Sequence, residues 1–154
     1  MKLFPALSFA YIIALCPPVL AQEAGAIIEE AILWEAEMNP DMSPAALSRI
    51  VQDTALFEES GNFFRAVSPI TAFGGNLSYV GLLGVEMLPG PNAVIESAPE
   101  EIASYLENKY ELSFESEAGV SAFQAELDED IMLVIFEHPS LAGSSVIIGA
   151  YLGP

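Results

Sequence analysis

Basic side chains are scarce in this sequence, which contains four Lys and Arg residues against 22 Asp and Glu residues. Without a basic cluster the chain has nothing to neutralise a phosphate backbone, so we exclude nucleic-acid binding. A single histidine leaves no histidine pair for a zinc site, and no Gly-x-Ser-x-Gly sequence is present. Common zinc enzymes and serine hydrolases are therefore disfavoured.

The one cysteine, Cys16, lies in an N-terminal segment with the features of a secretory signal peptide. A lysine at the second position precedes an apolar stretch over residues 3–15, and two prolines come before a run that ends in a small residue. We expect residues 1–21 to be removed between Ala21 and Gln22, with no stable membrane insertion afterwards. The mature chain, periplasmic or secreted, then folds without a disulfide.

Acidic residues dominate the chain that remains after this cleavage. Arg49, Arg65 and Lys109 are then its basic residues, against the same 22 acidic ones. The electrostatic field of so many acidic residues attracts a basic protein, a polycation or a divalent metal. Such attraction mostly raises the rate at which the partners associate. Adaptation to salty water would produce the same composition without any binding site, so both interpretations stay open.

Residues 22–61 have the pattern of a helical hairpin. Apolar residues recur at helical spacing in the first part, at Ile27, Ala31, Trp34 and Met38. Asn39-Pro40 ends this helix, because a residue before proline is pushed out of the helical region. Ser43-Pro44 then predicts the start of a second helix, and Gly61 its end.

Residues 62–154 predict a sheet with one helix. A β-hairpin is expected from the extended runs 63–73 and 77–88 on either side of Gly74-Gly75-Asn76, with Pro69 marking an edge or bulge. A short strand over 93–96 leads to Ser97-Ala98-Pro99-Glu100, which has the spacing of a capping box. The helix that follows is predicted to reach Tyr110.

The last third predicts a four-stranded antiparallel meander, because each turn is too short for a crossover helix. Two of its strands, 131–136 and 146–148, are continuously apolar and require cover on both faces. The fold class is therefore α+β: an N-terminal helical hairpin, a β-hairpin, and a strand-helix-four-strand meander with helices packed on a curved sheet. We expect one domain over 22–154.

Two places could carry chemistry. His138 lies in a loop between the most apolar strands, where Glu137 and Ser140 would have to complete a catalytic set, although neighbours in sequence rarely have that geometry. A loop histidine that caps a strand end is the simpler interpretation. Asp128 and Asp130 flank a tight acidic turn and are weak candidates for a Ca²⁺ site. We assign no catalytic residue and no cofactor.

Aromatic residues suggest a partner-binding surface. Trp34, Phe63, Phe64 and Tyr79 would form an apolar patch ringed by acids if the helices leave the sheet partly uncovered. The leading hypothesis is therefore an exported, non-catalytic binding protein whose partner is a basic protein or a polycation. The alternative is a small carboxylate-dependent hydrolase assisted by Ca²⁺.

Overall fold

The computed structural model describes residues 21–35, 45–83, 88, 90–116, 119 and 122–151. Helix α1 covers 21–30 and continues into a π-helical turn, Ala31–Glu35. The other two helices and the nine strands are α2 Ala45–Ile50, β1 Phe57–Ser60, β2 Phe63–Ala66, β3 Thr71–Ala72, β4 Gly75–Gly81, β5 Asn92–Glu96, α3 Pro99–Tyr110, β6 Glu115–Ser116, β7 Ala122–Asp128, β8 Ile131–Glu137 and β9 Ser145–Tyr151. No helix of this described part is long and apolar enough to cross a bilayer.

The nine strands form one antiparallel sheet, which confirms the predicted α+β class. The strand order is β1-β2-β4-β5-β9-β8-β7-β6, and β3 pairs with one end of β4. Strands β6 to β9 are neighbours in chain order, so the predicted meander is present. Its first strand, β6, has two residues, and Leu112 and Phe114 pack against the core from an irregular segment before it.

The core lies between one face of the sheet and the helices. Side chains of α1 and α3, such as Ile28 and Ile102, are fully buried in one cluster with Ile95, Ile135 and Ile147 of three neighbouring strands. Alternate residues of the same strands point to the opposite, outer face. Strands β8 and β9 are buried on both faces for most of their length, as their continuous apolar runs predict.

Helix α1 packs very closely on the sheet. A Cβ atom at Gly25 would overlap the carbonyl oxygen of Thr71 in β3, and one at Gly149 in β9 would lie 2.6 Å from the carbonyl oxygen of Ile32. Glycine at both contacts therefore lets helix backbone and strand backbone approach directly. The buried stripe of α1 runs through Ala24 and Ile28, and Ile27, which the pattern assigned to the core, is half-exposed.

The predicted second helix is wrong beyond Ile50. Turns follow α2, and the Asp53 side chain accepts a hydrogen bond from the Ala55 amide, which favours a turn over continued helix. Phe57 then begins strand β1, which pairs with β2 across the two-residue turn Gly61-Asn62. Gly61 has φ +64°, so it serves a β-turn rather than a helix end. The predicted start at Ser43-Pro44 lies outside the described residues.

The predicted β-hairpin is present, with its turn one residue earlier than expected. Ala72 pairs with Gly75, so Phe73 and Gly74 form the turn, with φ +54° and +78°. Positive φ at both central residues is typical of a type I′ turn.

The N-cap of α3 lies one residue later than the predicted capping box. Ala98 is the N-cap, and Glu101 accepts hydrogen bonds from the Ala98 amide and the Ser97 hydroxyl.

Candidate functional site

A groove lies on the outer face of the sheet, opposite the helices. Tyr79 pairs with Val94, and Val94 pairs with Val146, so these three side chains follow one another across β4, β5 and β9 on the same face. Phe63 of β2 lies diagonally across from Tyr79, whose direct partner in β2 is Arg65, and Leu141 of the β8–β9 loop also lines the groove. We call this the apolar groove; its volume is about 260 Å³.

The apolar groove is partly open to solvent. Leu141 is 38% exposed, whereas Val94 and Val146 are buried at the floor. Phe63 and Tyr79 are half-buried, so one part of each ring contacts the protein and another part faces the groove. An accessible pocket with apolar walls and few polar groups is the common form of a ligand or side-chain binding site.

One fully buried polar residue, Asn92, also lines the apolar groove. Its Nδ2 atom donates to the carbonyl oxygens of Leu83 at 3.0 Å and Gly90 at 3.3 Å. Its Oδ1 atom has no hydrogen-bond partner within the part of the chain that the structure describes. A Cβ atom at Gly81 would lie 2.5 Å from this oxygen, so glycine there makes room for the amide.

His138 lines the same groove, but its geometry does not suit a general base. Its Nδ1 atom accepts hydrogen bonds from the Ser140 and Leu141 amides, both at 3.1 Å. A ring nitrogen that accepts hydrogen bonds carries no hydrogen, so the lone pair of Nδ1 is already occupied. His138 holds the β8–β9 loop in shape, a role that fits the simpler interpretation of a loop histidine.

A second, polar groove adjoins the first. It has a volume of about 470 Å³ and shares Tyr79, Ser140 and Leu141 with the apolar groove. Two charged residues line it. Arg65 is paired with Glu58 of the edge strand, and Glu96 accepts a hydrogen bond from Ser78. Because the two grooves share these three residues, we call them together the cleft, with an apolar part and a charged part.

No family model matches this chain, and neither curated proteins nor solved structures give a match. The proposed function therefore rests on the geometry and charge of the site.

The predicted partner-binding residues fall into three groups. Phe63 and Tyr79 lie together in the apolar groove. Phe64 points to the opposite face of β2 and packs against the core, because successive residues of a strand alternate between faces. It therefore does not belong to the site. Trp34 belongs to the π-helical turn, and its side chain lies outside the described residues.

The weak metal candidates lie at the turn between β7 and β8. Asp128 and Asp130 are exposed there, and Asp128 accepts a hydrogen bond from the Glu129 amide. Among the described residues, no three acidic, histidine or cysteine side chains are grouped as metal ligands. Two exposed carboxylates at a turn give no specific support for a Ca²⁺ site.

A buried ionic cluster joins α1, the β3–β4 turn and α3. Glu29 is 3% exposed, and its carboxylate accepts hydrogen bonds from the Phe73 amide at 2.7 Å, Tyr105 Oη at 2.9 Å and Tyr110 Oη at 2.7 Å. Lys109 Nζ lies 2.6 Å from the same carboxylate. It also lies 5.2 Å and 5.1 Å from the centroids of the two tyrosine rings. We call this the Glu29 cluster.

The Glu29 cluster is built for stability rather than proton transfer. Burial acts to raise the pKa of Glu29, but the hydrogen bonds that it accepts outweigh burial and hold this pKa below its ordinary value. Burial acts to lower the pKa of Lys109, and its hydrogen bonds to Glu29 and the tyrosines raise that pKa overall. Burial raises the pKa of Tyr110 to about 12.

A carboxylate-dependent hydrolase requires a carboxyl group with a raised pKa near a second carboxylate in a cleft. The two acids with shifted pKa values in the described part, Glu29 and Glu101, are both shifted downward. Neither lines the cleft. The hydrolase alternative therefore has no specific observation in its favour.

Proposed function

We propose that this protein is exported and acts without catalysis, by binding a basic protein through the cleft on the outer face of its sheet. The observation that carries the proposal is the apolar groove, a solvent-open site whose only fully buried polar side chain, among the described residues, is Asn92. Its polar neighbour His138 is engaged in loop hydrogen bonds rather than poised for chemistry.

Charge supports a basic partner. The whole sequence carries a net charge of −18. Within the cleft, Arg65 is neutralised by Glu58, and Glu96 has no cation among the described residues. A cationic partner would be drawn to this surface, and the apolar end would then supply short-range contacts. A few buried aromatic or arginine side chains usually contribute most of the binding energy in such interfaces.

Export is tested by the N-terminus of the mature protein. When the full-length chain is produced in a secreting bacterial host, we expect the exported material to begin at Gln22, because the small residue Ala21 precedes that position after an apolar run. Edman sequencing or intact mass spectrometry of the material outside the cytoplasm measures this. A product that begins at residue 1 and stays in the cytoplasm would contradict export.

Binding is tested with two labelled peptides that share their apolar residues and differ in charge, one lysine-rich and one glutamate-rich. We expect the lysine-rich peptide to bind more tightly in fluorescence polarisation, and its affinity to fall as salt rises, because salt screens attraction between exposed charges. Phe63→Ala should weaken binding by about tenfold, since an aromatic wall of the groove is lost.

Val67→Ala is the matched control for that variant. Val67 is 45% exposed and does not line either groove, so its replacement should leave affinity unchanged. Equal binding of both peptides, or affinity that ignores salt, would remove the electrostatic part of the proposal. Failure of Phe63→Ala to change binding would remove the cleft.

A further inference from the structure

The Asn92 amide is fixed in one orientation and still lacks a donor. Nδ2 donates to two carbonyl oxygens, Leu83 O and Gly90 O. If the amide were flipped, Oδ1 would face these two acceptors and neither hydrogen bond could form. Oδ1 is therefore the atom left over, buried and unpartnered within the described residues. A buried acceptor without a donor is costly, and a ligand that supplies one relieves that cost.

The size and walls of the groove favour a flat aromatic group. A cavity of roughly 150 Å³ accommodates benzene, and this groove, at about 260 Å³, has room for a larger ring system. Phe63 and Tyr79 offer ring faces and edges for aromatic packing, and Val94, Val146 and Leu141 supply aliphatic walls.

The polar requirement selects among aromatic groups. Phenylalanine would fill the space but leave Asn92 Oδ1 without a donor. An anionic or carbonyl-bearing group would place an acceptor near Oδ1 in a chain of net charge −18. The tryptophan indole carries one N–H and no acceptor, so it satisfies the amide oxygen without adding an unpaired group.

We propose that the apolar groove binds a tryptophan side chain of the basic protein partner, with the indole N–H donating to Asn92 Oδ1. This inference rests on the proposed function, because it identifies the residue with which that partner is anchored. Lysine or arginine residues near the tryptophan would face Glu96 in the polar groove, while Leu141 covers the ring from the β8–β9 loop.

The test uses short lysine-containing peptides that differ only at a central residue: tryptophan, benzothienylalanine or alanine. Benzothienylalanine has the shape of tryptophan with sulfur in place of N–H. By isothermal titration calorimetry, we expect tryptophan to bind about tenfold more tightly than benzothienylalanine, because one buried acceptor gains its donor. Alanine should bind most weakly.

The outcomes separate this inference from the proposed function. Equal affinity for tryptophan and benzothienylalanine, both above alanine, would overturn the hydrogen bond and leave the apolar cleft intact. Equal affinity for all three peptides would overturn the tryptophan site and leave only charge-driven binding. Absence of binding by every peptide would overturn the proposed function as well.

A variant of the protein gives a second readout. Asn92→Leu removes the acceptor, so the preference for tryptophan over benzothienylalanine should disappear while aromatic peptides still bind better than alanine. Persistence of the preference in a folded Asn92→Leu protein would overturn the assignment to Asn92. If this variant fails to fold, because Leu83 and Gly90 lose their donor, the peptide comparison on the unmodified protein decides alone.

Discussion

Replacing Glu29 by alanine is expected to lower the free energy of unfolding by about 3 kcal/mol, because a buried amide and two tyrosine hydroxyls lose the carboxylate that accepts their hydrogen bonds. The cost arises chiefly at the Phe73 amide, which loses its acceptor in a buried turn. Lys109 contributes less, because its side chain is 44% exposed and water can replace the carboxylate. Urea denaturation followed by circular dichroism measures the change.

Glu30→Ala is the matched control for this variant. Glu30 is the next residue of the same helix and is exposed, so its replacement should change stability by less than about 0.5 kcal/mol. If Glu29→Ala and Glu30→Ala have the same effect, the Glu29 cluster does not hold α1 against α3. Glu29→Gln should be intermediate, since it keeps the shape and removes the charge.

The advantage of the unmodified protein over Glu29→Gln should depend on pH. The pKa of Glu29 is lowered from 4.5, so its contribution is complete above that value and is lost as pH falls through the folded-state pKa. At the alkaline end, the pKa of Tyr110 is raised from 10.0 to about 12, so the contribution of its neutral form is lost as pH rises through that range. An advantage that persists unchanged in acid would contradict the ionised state of Glu29.

Gly25→Ala is expected to destabilise the protein by about 1 to 3 kcal/mol, the usual range for overpacking a close contact. The added Cβ would overlap the Thr71 carbonyl oxygen, which is backbone and cannot move aside as a flexible side chain could. Helix α1 would have to shift away from β3 and lose part of its buried contact. Thermal unfolding and urea denaturation both measure this effect.

The reverse substitution at the next residue of α1, Ala26→Gly, provides the comparison. Ala26 is exposed, so its replacement should cost about 1 kcal/mol through helix propensity alone, because glycine is the poorer helix former. The same preference, acting by itself at position 25, would make Gly25→Ala stabilising by a similar amount. A gain of stability in Gly25→Ala would therefore contradict the prediction. A loss in both variants would assign the effect at residue 25 to the contact with Thr71.

The fold class could be predicted from the sequence because hydrophobic periodicity is local, but the second helix could not be bounded. Leu47, Ile50, Val51 and Phe57 fit helical spacing, and the pattern contains nothing to say that Phe57 instead pairs with Ala66. Gly61 was equally ambiguous, since positive φ ends helices and also forms β-turns. Pairing between strands decided both points.

The site was predictable only in part. The concentration of aromatic residues in the predicted hairpin was sufficient to propose Phe63 and Tyr79, yet strand alternation separates Phe64 from them once the paired strands define which face is buried. Asn92 and Leu141 were missed, because the groove needs the β8–β9 loop folded beside β5. The available signal was Asn92, a polar residue that begins β5 and is followed by three apolar residues.

The closeness of Ile32 and Gly149 ties helix α1 to strand β9, at opposite ends of the described chain. Helix α1 cannot pack in its final position until β9 has been synthesised and paired with β8. Contacts between residues so far apart in sequence form slowly. In the proposed export, a polypeptide that passes through a membrane channel must remain unfolded until its C-terminal end has passed through. Because α1 packs on the last strand, β9, this contact would delay folding until translocation is complete.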